Sequence, residues 1–459
     1  MSQLERAYFG TDGIRGPANV PPLTPDFAVR LGRTAADLFL ERRDGGEREW
    51  PTVIIGKDTR QSCDMLEAAV AAGIASLGVD VRLAGVIPTP AVARLVVEER
   101  ALFGVVISAS HNPFSDNGIK FFGPDGFKLD DALEREIESR LERMAVPSSD
   151  DPAGPVGRIA PLPRALERYV SFVREGAGGD PDLLSGLTIA LDCANGASHE
   201  SSEAVLRSLG AKVIARHNQP SGLNINEECG CTHPGIIERL VKESGADVGI
   251  SHDGDADRVL LCDETGSVVD GDELMAIAAI GLLERGELPG DTLVATVMSN
   301  AGLDEAVNAA GGKVVRTAVG DRYVLEAMRE HGYVLGGEQS GHFIFLRQNT
   351  TGDGIVAAVQ LLRILREKGE PLSRLRRAMT RFPQVQRNVR VSRKPELDSL
   401  AVSEQIRRAE SELGESGRVL LRYSGTEPKL RILVEGKDES RINGLADELA
   451  AAVRGEIGA

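Results

Sequence analysis

A repeat constrains this chain more than any other feature. Strand, loop, helix, glycine and second strand recur three times. In "TVIIGKDTRQSCDMLEAAVAAGIASLGVDVRLAGV" the first strand is Thr52–Ile55 and the glycine Gly78. In "LTIALDCANGASHESSEAVLRSLGAKVIARHN" they are Leu187–Leu191 and Gly210. In "TLVATVMSNAGLDEAVNAAGGKVVRTAVG" they are Thr292–Val297 and Gly311-Gly312. The helical parts place apolar residues three and four apart, while the strands are β-branched runs. A glycine behind each helix suits a left-handed C-terminal cap.

The second half of each unit repeats too. "TPAVARLVVEERALFGVVISASHNP", "HPGIIERLVKESGADVGISHDGDADR" and "GDRYVLEAMREHGYVLGGEQSGH" each predict a helix, a strand and a polar loop. Prolines 90 and 234 fit first helical turns. Three α/β domains with mixed, largely parallel sheets follow. Loops at the ends of equivalent strands are where such folds gather reactive groups, so SASHNP, DGDADR and GEQSGH are expected to face one cleft.

Beyond residue 375 the order becomes strand, helix, two strands joined by a tight loop, and helix, which predicts a small α+β domain. Val146–Pro163, rich in Pro, Ser, Asp and Gly, reads as a linker or exposed loop. The expected domains are 1–163, 164–263, 264–375 and 376–459.

Several classes are disfavoured. The 459 residues exceed one ordinary core, and 42% hydrophobic with 27% charged residues is typical of globular proteins. No apolar run reaches membrane-spanning length and the N-terminus lacks a basic-then-apolar leader, so a cytoplasmic protein without membrane attachment is expected. The five cysteines, an odd count, do not suggest a disulfide framework. A net charge of −16 disfavours nucleic acid, although a local cluster of Arg and Lys could still hold a small anion.

The loops carry the chemistry. In HDGDADRVL, Asp253, Asp255 and Asp257 alternate with small residues and can turn three hard oxygen donors to one point, which suits Mg²⁺. An EF-hand would need about 12 residues ending in glutamate between helices; here a strand precedes and an apolar run follows. Arg258 would pair with the carboxylates or contact phosphate. In SASHNP, Ser110 lacks the glycines of a hydrolase elbow, and a hydroxyl is a weak nucleophile until a base or metal activates it. Beside a metal loop, phosphoryl transfer at Ser110 is the better chemistry, with His111 and Lys120 handling protons or phosphate oxygens. Lys120 is expected to end a glycine-containing turn.

LRYSGTEPKLRILVEG offers Arg422, Ser424, Gly425 and Thr426 in a tight loop, with Arg431 on the following strand, as a phosphate would want. Glu338 and Ser340, with His342 nearby, could grip sugar hydroxyls. Arg15 sits in FGTDGIRG, read as a glycine-rich turn. Cys229, Cys231 and His233 in CGCTHP lack an evident fourth ligand for zinc.

Together SASHNP, DGDADR, GEQSGH and RYSGTEPKLR resemble the phosphoserine, metal, sugar and phosphate loops of the α-D-phosphohexomutase superfamily, across essentially the whole chain. FGTDGIRG, INEECGCTHP, ATVMSNAGL, VGDRYVLEAM and GGEQSGH look like its phosphoglucosamine mutase branch. Cys231 stands where serine is usual, and Tyr423 varies within the branch. The resemblance implies three similar α/β domains around a central cleft, closed by a small C-terminal domain of TATA-binding-protein-like fold. It implies conversion of glucosamine 6-phosphate to glucosamine 1-phosphate through phosphorylated Ser110 and glucosamine 1,6-bisphosphate. One Mg²⁺ per chain would be held by Asp253, Asp255, Asp257 and a phosphoserine oxygen. Arg15, His111 and Lys120 would serve catalysis, Glu338, Ser340 and His342 the sugar, and Arg422, Ser424, Gly425, Thr426 and Arg431 the distal phosphate. A glucose or mannose phosphomutase is the near alternative. A phosphatase that hydrolyses phosphoserine and a non-catalytic sugar-phosphate sensor are the readings from other classes. The sequence leaves the oligomeric state open, a homodimer being the assembly to test.

Overall fold

In the third strand of every repeat lies the reason the units fold alike. Phe103–Ile107, Val248–His252 and Leu335–Gly337 are buried at each position. Strands with no face for water take inner places in a sheet. The computed structural model describes residues 7–10, 12–43, 50–143, 154–414, 417–424 and 428–459. In each unit the third strand lies between one parallel and one antiparallel neighbour. The orders are Asp116–Phe122, Phe103–Ile107, Thr52–Lys57, Asp80–Val86; then Val259–Asp263, Val248–His252, Thr188–Asp192, Lys212–Arg216; then Phe343–Phe345, Leu335–Gly337, Thr292–Thr296, Lys313–Thr317. Thr52–Lys57, Thr188–Asp192 and Thr292–Thr296 pair in parallel on both sides. The last strand of each unit pairs back antiparallel.

That antiparallel strand was not part of the repeat as read from sequence. It turns each motif loop into the connection between the third strand and its return. All three loops therefore leave the carboxyl ends of equivalent parallel strands. Gly78, Gly210 and Gly311 follow helices Ser62–Ala75, Ser208-ending Ser198–Ser208 and Ala301–Ala309, with φ of +79°, +91° and +89°. The left-handed backbone turns the chain from helix to second strand.

Three local expectations change. Arg15 lies on the edge strand Ile14–Pro17, antiparallel to Asp116–Phe122, rather than in a turn. Lys120 is inside that second strand, opposite Val106, because the turn closes earlier, at Asp116. Within the expected linker, Ile159–Pro161 adds a parallel strand beside Asp80–Val86; residues 146–153 of that linker lie outside the described residues.

One continuous apolar cluster joins the three units through helices Thr89–Glu99, Ala165–Gly176 and Gly354–Lys368. Polar bonds pin the junction. The Tyr169 hydroxyl contacts both Asp353 oxygens at 2.8 and 3.0 Å, and Asn349 Nδ2 donates to Asp353 at 2.9 Å and to the Pro90 carbonyl at 3.2 Å.

The C-terminal part has its own core. Its antiparallel sheet, ordered Gln384–Arg390, Lys429–Gly436, Gly417–Tyr423, packs with helices Val402–Leu413 and Glu439–Ile457. The joint to the third unit is mostly polar. Asn300 exchanges hydrogen bonds with the Phe382 backbone at 3.0 and 2.9 Å, Ala301 N–H meets Glu435 at 3.3 Å, and Lys437 meets Glu305 at 3.1 Å. No helix among the described residues is long and apolar enough to cross a membrane.

Candidate active site

The buried strand Phe103–Ile107 ends by delivering Ser110, itself 1% exposed, in the left-handed conformation at φ +52°. A non-glycine residue holds that conformation only where its surroundings over-determine it, and such strain concentrates at functional sites. The Ser110 hydroxyl donates to Asp253 Oδ2 at 2.6 Å, and His111 Nδ1 stands 3.3 Å from Ser110 Oγ. The Ser110–Asp253 bond thus joins the reactive loops of the first and second repeats.

Asp253, Asp255 and Asp257 are all buried, each offering a carboxylate oxygen within 4.8 Å of the others. Arg258 N–H donates to Asp253 Oδ1 at 3.2 Å, and Thr89 Oγ1 to Asp255 Oδ2 at 2.7 Å. Asp255 Oδ1 and Asp257 Oδ1 are buried without a hydrogen-bond partner. Burial, together with the charges of Asp257 and Asp255, pushes the Asp253 carboxyl well above the ordinary range. Burial opposes ionisation of Asp257 too, but His342, Lys120 and Arg258 hold it well below that range. A set of crowded hard oxygens, two of them unsatisfied, fits a divalent cation that prefers oxygen ligands.

Lys120 Nζ, fully enclosed, reaches Asp255 at 2.8 Å and Asp12 at 2.9 Å. Burial disfavours its charge, yet Asp12 and Asp255 outweigh this and raise its pKa. Burial, with Arg258 and Arg15 nearby, lowers the pKa of His111. The neighbours therefore diverge at neutral pH: a cationic lysine and a neutral imidazole.

A cleft of about 450 Å³ opens over Ser110 and His111, lined also by Arg15, Asp257, Arg258, Glu338 and His342. Every repeat contributes to its wall. Glu338 accepts the Gly320 N–H at 3.1 Å. His342 is only 4% exposed and stands 3.7 Å from Asp257 and 3.5 Å from Asp321, so its nitrogens face carboxylates. Ser340 is exposed at the loop tip and is absent from the lining.

The C-terminal residues are placed differently. Arg422 and Arg431 are direct cross-strand partners. With period-two alternation they lie on the sheet face opposite the helices, beside Met298 of the third unit. Burial and the adjacent Arg431 lower the pKa of Arg422. Ser424 is buried, its N–H donating to the Lys429 carbonyl at 2.8 Å. Gly425 and Thr426 lie outside the described residues. No described residue of 376–459 lines the cleft over Ser110, so the arginine pair and the serine occupy separate surfaces here.

Sequence reasoning passed over Asp12, Lys128 and Asp321. Lys128 bridges Asp12 at 2.6 Å and Asp321 at 2.7 Å, tying the first unit to the third across the cleft. Asp12 and Asp321 stand inside FGTDGIRG and VGDRYVLEAM, so each motif carries a signal that a residue-level reading could use. Lys128 carries no local signal. The CGCTHP group separates: Cys231 Sγ contacts the Ser251 carbonyl at 3.0 Å, His233 the Cys229 carbonyl, and Cys229 instead approaches Asp192 and His217. All five cysteines are free thiols.

Four consecutive stretches match the phosphoglucomutase/phosphomannomutase family: residues 6–146 its alpha/beta/alpha domain I, 167–266 domain II, 270–382 domain III and 387–452 its C-terminal domain. A phosphoglucosamine mutase of Pelobacter propionicus is 52% identical over 454 residues, covering 99% of each chain. A solved phosphoglucomutase/phosphomannomutase family protein of Burkholderia thailandensis superposes with a TM-score of 0.80 at 22% identity, over 99% of this chain and 98% of that one. N-acetylphosphoglucosamine mutase of Aspergillus fumigatus, solved with GlcNAc-6P and magnesium, gives 0.67 at 19% identity, over 98% and 95%.

Proposed function

The chain belongs to the phosphoglucomutase/phosphomannomutase family, and from that membership we propose that it is an isomerase converting glucosamine 6-phosphate to glucosamine 1-phosphate. The observation that carries the chemistry is the 2.6 Å contact between Ser110 Oγ and Asp253 inside a trio of buried carboxylates. Ser110 is stored as a phosphoserine. In the first transfer the bond from phosphorus to Ser110 Oγ breaks and a bond to the sugar O1 forms, giving glucosamine 1,6-bisphosphate. The sugar then reverses, its O6–phosphorus bond breaks, and the phosphoryl group returns to Ser110.

Asp253, Asp255 and Asp257, with a phosphoserine oxygen, would hold Mg²⁺, the metal named with the Aspergillus protein. Bound there, the ion would neutralise charge on the transferring group. Arg15 and Arg258, which line the cleft, supply fixed positive charge toward the same oxygens. Neutral His111, 3.3 Å from Ser110 Oγ, takes the hydroxyl proton of the attacking oxygen in each transfer and gives it to the oxygen that departs. Lys120, held cationic among Asp12 and Asp255, keeps the carboxylate cluster compensated. Glu338 receives sugar hydroxyls in either orientation. Arg422 and Arg431 hold the phosphate that is not reacting once the C-terminal domain swings over the cleft about its polar joint. With five free thiols, four of them buried, the protein suits a reducing cytoplasm.

The direct test compares glucosamine, glucose and mannose 6-phosphates side by side. Preference for glucosamine supports the reading; inorganic phosphate released without isomerisation would replace it with a phosphatase. Arg422→Ala should raise KM about 10- to 100-fold, the value of a charge-assisted hydrogen bond, while Ser110 still accepts phosphate from a hexose 1,6-bisphosphate. An unchanged KM would remove Arg422 from the distal site.

A lowered His111 pKa also sets the pH profile. As a base it must be neutral, so activity is retained above the ordinary imidazole value of 6.5 and lost as pH falls through a lower one. His111→Gln should remove that acidic limb. A limb unchanged in the variant would belong to the ionising phosphate of the substrate.

A further inference from the structure

Two carbonyls flank His111, those of Ser110 and Asn112, and each is gripped twice. Arg60 Nη2 donates to them at 3.1 and 2.6 Å, and Asn226 Nδ2 at 2.9 and 3.0 Å. The donors come from different repeats, Arg60 from the first and Asn226 from the second. Both are firmly held. Arg60 is wholly buried against Asp58, also buried, and its N–H donates to Asp58 Oδ1 at 2.9 Å. Asn226 N–H donates to the Ala194 carbonyl at 2.9 Å. The metal loop closes on the same point. A Cβ on Gly254 would stand 2.5 Å from the Ser110 carbonyl and 2.7 Å from Asn226 Nδ2, so only glycine permits the approach. Neither Arg60 nor Asn226 lines the cleft.

We propose that Arg60 and Asn226 form a clamp across the first and second units that holds Ser110 in its left-handed conformation and aims the hydroxyl at Asp253. The Ser110 carbonyl belongs to the Ser110–His111 peptide and the Asn112 carbonyl to the Asn112–Pro113 peptide, so the two grips pin the backbone at both ends of the His111–Asn112 pair and set hydroxyl and imidazole together. Asn226 is then a positioning residue for phosphoryl transfer, acting from the second unit on the loop of the first. A hydroxyl released from this grip would relax toward ordinary backbone angles and leave Asp253. The inference rests on the phosphoserine reading above.

Asn226→Ala and Arg60→Lys test it; the lysine keeps a charge for Asp58 but loses the planar fork. In both, kcat should fall by on the order of 10²-fold, the effect of misplacing a reacting group by about 1 Å. KM should stay within about twofold and the melting temperature within about 3 °C of the parent. Hydrogen–deuterium exchange should quicken at the amides of residues 108–112 and remain unchanged elsewhere in the two units. The clamp is overturned if exchange at 108–112 and kcat both match the parent. It is equally overturned if activity falls only with faster exchange across a whole unit, which would make the residues merely structural. Should the parent itself take no phosphate on Ser110 from a hexose 1,6-bisphosphate, the functional reading fails, while the exchange measurement still judges the clamp.

Discussion

Ser110→Ala is expected to abolish mutase turnover, by on the order of 10⁴-fold or more, as loss of a covalent nucleophile does elsewhere. Intact-mass spectrometry of the parent, after exposure to a hexose 1,6-bisphosphate, should show the added mass of one phosphate, and the variant none. The substitution removes a hydroxyl that donates to Asp253 at 2.6 Å and leaves the backbone grip on residue 110 intact, so the fold should persist. Alanine tolerates the left-handed angle no better than serine, and a modest fall in melting temperature is expected from the lost hydrogen bond. A variant that keeps turnover, or that still carries phosphate, would move the covalent step to another residue and undo the mechanism.

Asp253→Asn should separate activity from stability. Turnover is expected to fall about 10²- to 10³-fold, in line with removal of one electrostatic element from a transfer site. Metal-free stability should move the opposite way. The folded-state pKa of Asp253 is raised, by burial first and then by Asp257 and Asp255. A raised carboxyl pKa means that the folded protein binds the extra proton, so stability falls as pH rises from the ordinary carboxylate value toward the folded one. The metal-free parent therefore loses stability as pH rises out of the ordinary carboxylate range, because ionising Asp253 sets a third charge among crowded carboxylates. Asparagine is nearly isosteric. Its oxygen can keep the Arg258 N–H bond and its amide can donate to the Ser110 oxygen. In EDTA at pH 8 the variant should melt above the parent, with the gap shrinking toward pH 4. Mg²⁺ should then raise the melting temperature of the parent much more than that of the variant. A variant less stable than the parent in EDTA at pH 8 would show that the trio is not strained by its own charge.

Much of the architecture was legible because repetition is a local signal. Helical spacing, β-branched runs and trailing glycines announced three like units, and the change after residue 375 announced the fourth. The return strands were not legible in the third unit, where Phe343–Phe345 is too short for a period to register. Lys120 reads as the end of a turn because Gly118 resembles turn chemistry; Gly118 is instead a strand residue whose missing side chain lets the Ser108 carbonyl and Arg15 approach. DGDADR was readable as a candidate metal loop since its three carboxylates stand two residues apart in sequence.

By itself the sequence determined what each loop could do: carry a hydroxyl, bind a hard cation, or offer hydrogen bonds to a sugar. Only tertiary structure decided which groups act on one another. Asp12 with Lys128 and Asp321, or Asn226 with the Ser110 carbonyl, are contacts between residues more than a hundred positions apart, and nothing in the local pattern announces them. The physical reason is range. Backbone preference and periodicity act over a few residues, whereas ionisation and hydroxyl reactivity depend on distances and burial that exist only after the units have packed.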